Sequence, residues 1–215
     1  MPSFGERQVS AEFLVAEFSA LQDQVIRLEE AKSNRVNFFL IVVAAVTAGV
    51  SGSIANPNLQ HSLGLVFICI ASMVLLLLGV ATLNELVRYS ESIVSLYRRA
   101  GRIRRWFVDF DPEIAPYLAF EATDEHPKVD LETGYLTFRG GDAVVLMLNS
   151  VTFCVLVVAT LYIMYPISVP MALFIAAVAA FLFWFLQQNR LHALLRKIEI
   201  RMEGNIRFPY RRSSE

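Results

Sequence analysis

The chain has 215 residues, of which 55% are hydrophobic, and its formal net charge at pH 7 is −1. A soluble domain usually has about 45–50% apolar residues, and it lacks stretches as long as 36–84 and 143–189, which contain no Asp, Glu, Lys or Arg. These features exclude an ordinary soluble domain, and the near-neutral charge argues against direct nucleic-acid binding.

Residues 1–35 are predicted to form a cytosolic amphipathic helix. Ser10 is a candidate N-cap. The apolar positions after it step by three and four residues, which predicts one apolar helix face; we call it the first seam, and it contains Ala11, Leu14, Phe18, Leu21, Val25 and Leu28. The seam is shorter than a typical coiled coil. It could pack on the protein's own cytosolic helices or self-associate around a symmetry axis.

Residues 36–84 are predicted to be the first transmembrane hairpin. One crossing takes about 20 residues, so the interval holds two helices. They are expected at 36–54 and 62–84, on either side of the turn-rich segment Ser51–Asn58.

Residues 85–142 are predicted to be a cytosolic helix followed by a small irregular loop module. The helix continues the second span to about residue 108 with a second seam: Leu86, Tyr89, Ile93, Leu96, Ala100, Ile103 and Phe107. The two seams are natural partners for each other. Prolines interrupt the loop module, a short strand is expected at 135–138, and Asp142 is expected to cap the next helix.

A stripe of arginines lies near the far end of this cytosolic helix. Arg98, Arg102 and Arg105 step by four and three residues, so they share one helix face. One hypothesis is a site for an anionic, nucleotide-like trigger or for an acidic protein partner. The alternatives are contact with lipid headgroups or a solvated helix end, whose cations the acidic residues after it neutralise.

Residues 143–188 are predicted to be the second transmembrane hairpin. Its helices are expected at 143–164 and 169–188, separated by Tyr165–Pro170, and residues 189–215 are expected to form a cytosolic helix to 203 and a basic tail. Polar side chains share one face of the third span: Asn149, Thr152 and Thr160. They could line a pore in a homo-oligomer or form hydrogen bonds between helices.

The distribution of basic residues predicts the orientation. All 19 Lys and Arg lie in residues 1–35, 85–142 and 189–215. Because basic loops stay in the cytosol, both termini are expected on the cytosolic side of a bacterial inner membrane. The fold class is therefore an all-α integral membrane protein with four transmembrane helices in two hairpins and with cytosolic helical extensions.

The chain carries few signals for catalysis. It has no Gly-rich phosphate loop and no zinc-type spacing, and Cys69 and Cys154 both lie in predicted spans. We therefore predict no catalytic residue, no metal ligand and no cofactor. The predicted spans contain no Asp, Glu, Lys, Arg or His, which argues against an ion-coupled transporter.

The order of the segments resembles the SLATT-type and four-transmembrane bacterial effectors of conflict, or anti-phage, systems. Arg102–Phe107 together with Asp111–Tyr117 is similar to a segment of bacterial four-span proteins. The resemblance implies a signal- or partner-gated effector that permeabilises or perturbs the inner membrane. A membrane anchor that recruits a soluble cytosolic partner is the alternative, and a small transporter or channel is a third.

Overall fold

The computed structural model describes residues 4–54, 61–128, 140–165 and 167–208, and within these ranges it is mostly helical and contains no strand. The predicted all-α class is therefore confirmed for the described part of the chain. The strand expected at 135–138 and most of the turn expected after residue 54 lie outside the described residues.

Four long helices account for most of the fold: α1 (Phe4–Ile54), α2 (His61–Phe110), α3 (Gly140–Met164) and α4 (Val169–Glu203). A short 3-10 helix, Pro112–Tyr117, follows α2. Each of the helices α1, α2 and α4 joins a predicted span to the predicted helix beside it without a break. The continuation of the second span past residue 84 is confirmed, because α2 reaches Phe110.

Two predicted helix starts are wrong. α1 begins at Phe4, so Ser10 lies inside the helix and is not its N-cap. The residues before Ser10 include good helix formers, which lets the helix start earlier. α3 begins at Gly140, whose φ of 77° is readily adopted only by glycine. Asp142 therefore lies in the first turn, where it forms an ion pair with Lys32 (Nζ to Oδ2, 3.5 Å).

Local chemistry explains two helix ends. α2 stops before Pro112, which cannot continue it, and the side chain of Asp111 accepts a hydrogen bond from the backbone N–H of Glu113 (3.1 Å) to cap the 3-10 helix. α4 stops at Glu203, as Gly204 and Asn205 predict. There the backbone N–H of Asn205 donates to the carbonyl of Met202 (3.0 Å).

All four long helices have the length and apolarity needed to cross a membrane. Only 11–33% of the residues in their most apolar windows are buried within the chain. Large apolar side chains such as Ile41 (67%), Leu77 (66%) and Phe174 (71%) remain exposed. Faces of this kind are unfavourable in water and are typical of helices that lie in lipid.

The described residues form two compact units. The charged unit contains those within Met1–Ala31, Arg88–Glu132 and Leu194–Glu215, and the apolar unit contains those within Lys32–Val87 and Thr133–Ala193. α1, α2 and α4 each contribute residues to both units.

The core of the charged unit is built from the two seams. Leu21 and Val25 of α1 are buried against Leu96, Ala100 and Ile103 of α2. Further residues of the seams surround this core: Leu14, Phe18, Leu28, Ile93 and Phe107. The predicted pairing of the seams is confirmed. It occurs within one chain, so the seams do not need a second copy to be buried.

In the apolar unit, all four helices contribute to one core. Its buried residues are Val36, Phe39, Leu83, Leu86, Val145 and Leu146. Trp184 and Leu191 of α4 pack against them. Arg35 of α1 forms an ion pair with Glu85 of α2 (Nε to Oε2, 2.7 Å), so a charge contact accompanies the apolar core.

Candidate anion-binding pocket

A basic pocket lies in the charged unit, between α2 and the segment that ends α4. Its volume is about 440 Å³, and it is lined by Ser95, Arg98, Arg99, Arg102, Asp124, Met202, Gly204, Asn205, Ile206 and Arg207. Four arginines therefore face one carboxylate. A guanidinium group presents several N–H donors in a planar fork that matches phosphate and carboxylate oxygens, so the lining suits an anion.

Arg98 is the most buried of the four arginines, with only 5% of its surface exposed. Its Nη2 donates to Glu199 of α4 (2.7 Å), and its Nε donates to the carbonyl oxygen of Pro127 (3.3 Å). Its Nη1 is buried and has no hydrogen-bond partner among the described residues. A buried donor without a partner is costly, so this nitrogen marks a place where an acceptor would be favourable.

Asp124 holds the segment after α4 against the pocket. Its Oδ2 accepts hydrogen bonds from Arg102 Nε (2.8 Å) and from the backbone N–H of Arg207 (2.9 Å). Its Oδ1 accepts one from the backbone N–H of Phe208 (2.8 Å). Arg102 also donates from Nη2 to the carbonyl oxygen of Asn205 (2.7 Å). Asp124 and Arg102 therefore both hold the segment after α4.

The pKa of Asp124 lies below its ordinary value. Burial acts to raise this pKa, but the hydrogen bonds from Arg207, Arg102 and Phe208 and the positive charge of Arg102 outweigh burial. The carboxylate is therefore ionised and already satisfied at neutral pH. It adds little repulsion toward an incoming anion.

Gly101 lets the loop lie directly against α2. A Cβ at this position would collide with the backbone carbonyl of Thr123. The following residue is Asp124, so the close approach at Gly101 places that carboxylate beside Arg102. This requirement for glycine involves backbone atoms, which a rotamer change does not relieve.

The predicted arginine stripe is divided by the fold. Arg98 and Arg102 line the same pocket. Arg105 instead forms an exposed ion pair with Asp109 (Nε to Oδ1, 2.9 Å) and is not part of the lining. Arg105 is therefore neutralised by a nearby acidic residue, which was one of the alternatives that the sequence analysis left open.

Sequence reasoning did not identify four residues of the pocket region: Arg99, Asp124, Glu199 and Arg207. Asp124 and Glu199 lie far along the chain from the arginines they bind, and no local pattern marks them. Arg99 and Arg207 are exposed and form no ion pair within the described part of the chain. Their basic side chains were visible in the sequence, but their proximity was not.

The candidate pore-lining residues contact their own chain. Asn149 is fully buried; it donates from Nδ2 to Gln187 Oε1 (3.3 Å), and it lies against Gly79, where a Cβ would collide with its amide. The hydroxyl of Thr152 donates to Leu148 (2.8 Å). The hydroxyl of Thr160 donates to Leu156 (2.8 Å) and lies 3.8 Å from Cys69 Sγ. Asn149 thus has the interhelical role that the sequence analysis left open.

Comparison with protein-family models, curated proteins and solved structures finds no match for this chain. Among the described residues, no group of three or more His, Cys, Asp or Glu side chains is placed to hold a metal ion. The arginine-lined pocket is therefore the site on which a functional argument rests.

Proposed function

We propose that this chain is a bacterial inner-membrane effector that is gated by an anionic signal bound in its charged unit. The four helices form two hairpins with both termini in the cytosol, so the charged unit is cytosolic. Two facts support this topology: four helices are long enough to cross a membrane, and the Lys and Arg residues are confined to three segments. The resemblance to SLATT-type and four-transmembrane bacterial effectors suggests the effector role, not this topology.

The pocket in the charged unit is the observation that carries the proposal. It is lined by four arginines, and one of them, Arg98, has a buried Nη1 without a hydrogen-bond partner among the described residues. Its volume of about 440 Å³ falls in the range of small-molecule sites. Arg99 and Arg207 are exposed at this pocket, so they are available to an incoming anion.

A signal bound in this pocket would act through two helices. α2 supplies Arg98, Arg99 and Arg102, and the segment after α4 supplies Arg207. Both helices also contribute to the apolar unit. A ligand that draws these arginines together would favour one arrangement of α2 and α4 over another, and that arrangement would open a leak across the membrane.

We expect the effector to assemble as a homo-oligomer, but through a surface other than the seams that the sequence analysis suggested. The two seams are buried against each other within one chain. The remaining candidates are the exposed apolar faces of the spans, such as the faces of Ile41 and Phe174. The mass of the detergent-purified protein tests this. Four or more subunits support a pore, and a monomer contradicts it.

The gating proposal is tested by charge reversal at Arg207, whose side chain is exposed and forms no ion pair among the described residues. Arg207→Glu is compared with Arg196→Glu, a control on the exposed surface of α4 outside the pocket lining. Growth and membrane potential are followed in a bacterial host that expresses each variant, with and without phage infection. We expect the wild type and the control to depolarise the membrane, and Arg207→Glu to lose this activity. Equal depolarisation by both variants would exclude the pocket as the trigger site.

A second function, an anchor for a soluble cytosolic partner, is favoured by an apolar groove in the charged unit. The groove measures about 560 Å³ and lies between α1, α2 and the 3-10 helix region. Tyr117 is 87% exposed at the groove. The guanidinium carbon of Arg104 lies 5.3 Å from the ring centroid of Phe18 and 5.0 Å from that of Phe120. A partner segment with apolar side chains and one carboxylate would complement this surface.

The anchor function predicts one soluble protein, in stoichiometric amount, on the purified chain and no change in membrane potential. Phe120→Asp should release that protein. Arg207→Glu should not, because Arg207 does not line the groove. Depolarisation without any bound protein would contradict the anchor function.

A further inference from the structure

We propose that the pocket binds a compact diphosphate group, either free pyrophosphate or the diphosphate end of a larger molecule, and that it does not select a nucleobase. This inference rests on the proposed function, because it names the chemical class of the signal. For Arg98, Arg102 and Arg105, the sequence left a nucleotide-like trigger, an acidic protein partner, lipid headgroups and a solvated helix end as alternatives. The structure replaces Arg105 with Arg99 and Arg207.

The donors occur at two depths, which suits an anion with two charged groups. Arg98 is buried and retains an unpartnered Nη1, whereas Arg99 and Arg207 are exposed at the same pocket. One phosphoryl group would accept from Arg98, and the other would accept from the exposed pair. Charge-assisted hydrogen bonds of this kind are shorter and stronger than neutral ones.

The negative charges near the pocket are already compensated. Glu199 is paired with Arg98, and Asp124 accepts from Arg102 and from two backbone N–H groups. Arg99 and Arg207 have no ion pair among the described residues. The pocket therefore keeps an excess of positive charge, which favours a ligand with several negative charges.

Among the described residues, the lining has no surface for a base. None of those that line the pocket is aromatic, and Met202 and Ile206 are its apolar members. Bases are usually held by stacking on aromatic rings and by hydrogen bonds to their edges. The affinity should therefore follow the phosphate groups and not the identity of the nucleoside.

The test measures binding to the full chain in detergent micelles by isothermal titration calorimetry. The probes are pyrophosphate, ADP, AMP, inorganic phosphate and adenosine. We expect pyrophosphate and ADP to bind with similar affinity, AMP and phosphate to bind at least about tenfold more weakly, and adenosine not to bind. Tighter binding of AMP than of pyrophosphate, or no binding of any phosphate, would overturn the proposal.

Matched variants show whether the pocket is the site. Arg99→Gln and Arg207→Gln should each weaken pyrophosphate binding by about tenfold or more, and Arg196→Gln should leave it unchanged. Both pocket arginines are exposed, so these variants keep the fold intact. Equal weakening by all three variants would indicate non-specific charge attraction and would overturn the assignment to this pocket.

The ligand inference and the gating proposal fail in different ways. Pyrophosphate that binds in the pocket without altering leakage from dye-loaded proteoliposomes would leave the ligand class standing and remove the gating role. If depolarisation depends on Arg207 but no diphosphate binds to the protein, the gating proposal would be supported and the diphosphate proposal would be contradicted.

Discussion

Neutralising Glu199 should destabilise the charged unit strongly, because it leaves the Arg98 guanidinium buried without its carboxylate. Arg98 and Glu199 are 5% and 4% exposed, and the ion pair between Nη2 and Oε1 measures 2.7 Å. Removing one partner of a buried ion pair costs about 3–5 kcal/mol. Glu199→Gln should lower the unfolding free energy of the charged unit by an amount in this range.

A control exists on the same two helices. Arg201 of α4 pairs with Glu91 of α2 (Nη1 to Oε1, 3.2 Å), but the Arg201 side chain is 63% exposed. Exposed pairs contribute about 0–1 kcal/mol. Glu91→Gln should therefore lower the unfolding free energy only slightly, although it too removes a carboxylate that joins α2 to α4 in the wild type.

Tryptophan fluorescence can report on the charged unit alone. Trp106 lies there, with its ring centroid 5.6 Å from that of Phe110 in a stacked arrangement. Trp184, the other tryptophan of the chain, is removed by Trp184→Phe in every protein compared. Thermal unfolding in micelles should show Glu199→Gln melting at least about 12 °C below the background protein, at about 4–8 °C per kcal/mol.

A double variant separates charge from packing. Arg98→Met with Glu199→Leu should recover most of the lost stability, because apolar residues of similar volume often replace a buried pair without loss. The same variant should bind less pyrophosphate. If Glu199→Gln and Glu91→Gln lowered the melting temperature equally, the reasoning about burial would be refuted.

Three further predictions concern glycine packing and pH. Gly79→Ala should unfold or loosen the apolar unit, because the new Cβ collides with the amide of the fully buried Asn149. The control is Gly49→Ala, where a Cβ would meet nothing within 4 Å. This variant should leave the melting temperature unchanged or slightly higher, since alanine favours helix. Gly101→Ala should displace the loop from α2 and weaken pyrophosphate binding, which calorimetry would measure; wild-type affinity would contradict this. The pKa of Asp124 is lowered in the folded chain, so its stabilisation is present above its unfolded pKa of about 3.9 and is lost as pH falls through the folded pKa. The stability advantage of the wild type over Asp124→Asn, measured by Trp106 fluorescence, should therefore be full at pH 7 and shrink below about pH 4; a constant difference would contradict it.

The long helices followed from the sequence because their signals are local. Charge-free intervals predicted the spans, and steps of three and four residues predicted the continuation of α2 past the span. The two seams were also correctly paired, since each is an apolar stripe that needs a partner. The starts of α1 and α3 were misplaced because Ser10 and Asp142 are common capping residues that here lie inside the helices.

The pocket depended on contacts that no local pattern encodes. One step of four residues along α2 brought Arg98 and Arg102 to a common face, which the sequence predicted. The fold added Arg99 and Arg207 to the lining, gave Arg98 and Arg102 their acidic partners, and assigned Arg105 to Asp109. Which carboxylate satisfies which arginine is decided by burial and geometry once α2, α4 and the loop pack together.

The sequence by itself determined the class of the protein: a chain with four apolar helices, basic segments at their ends and paired seams, because hydropathy, charge and helical period act over short distances. The tertiary structure alone decided that Asn149 is buried beside Gly79 and Gln187, and that Asp124 and Glu199 reach the arginines. Those contacts join residues far apart in the chain, and their energies arise only when folding removes water from both partners.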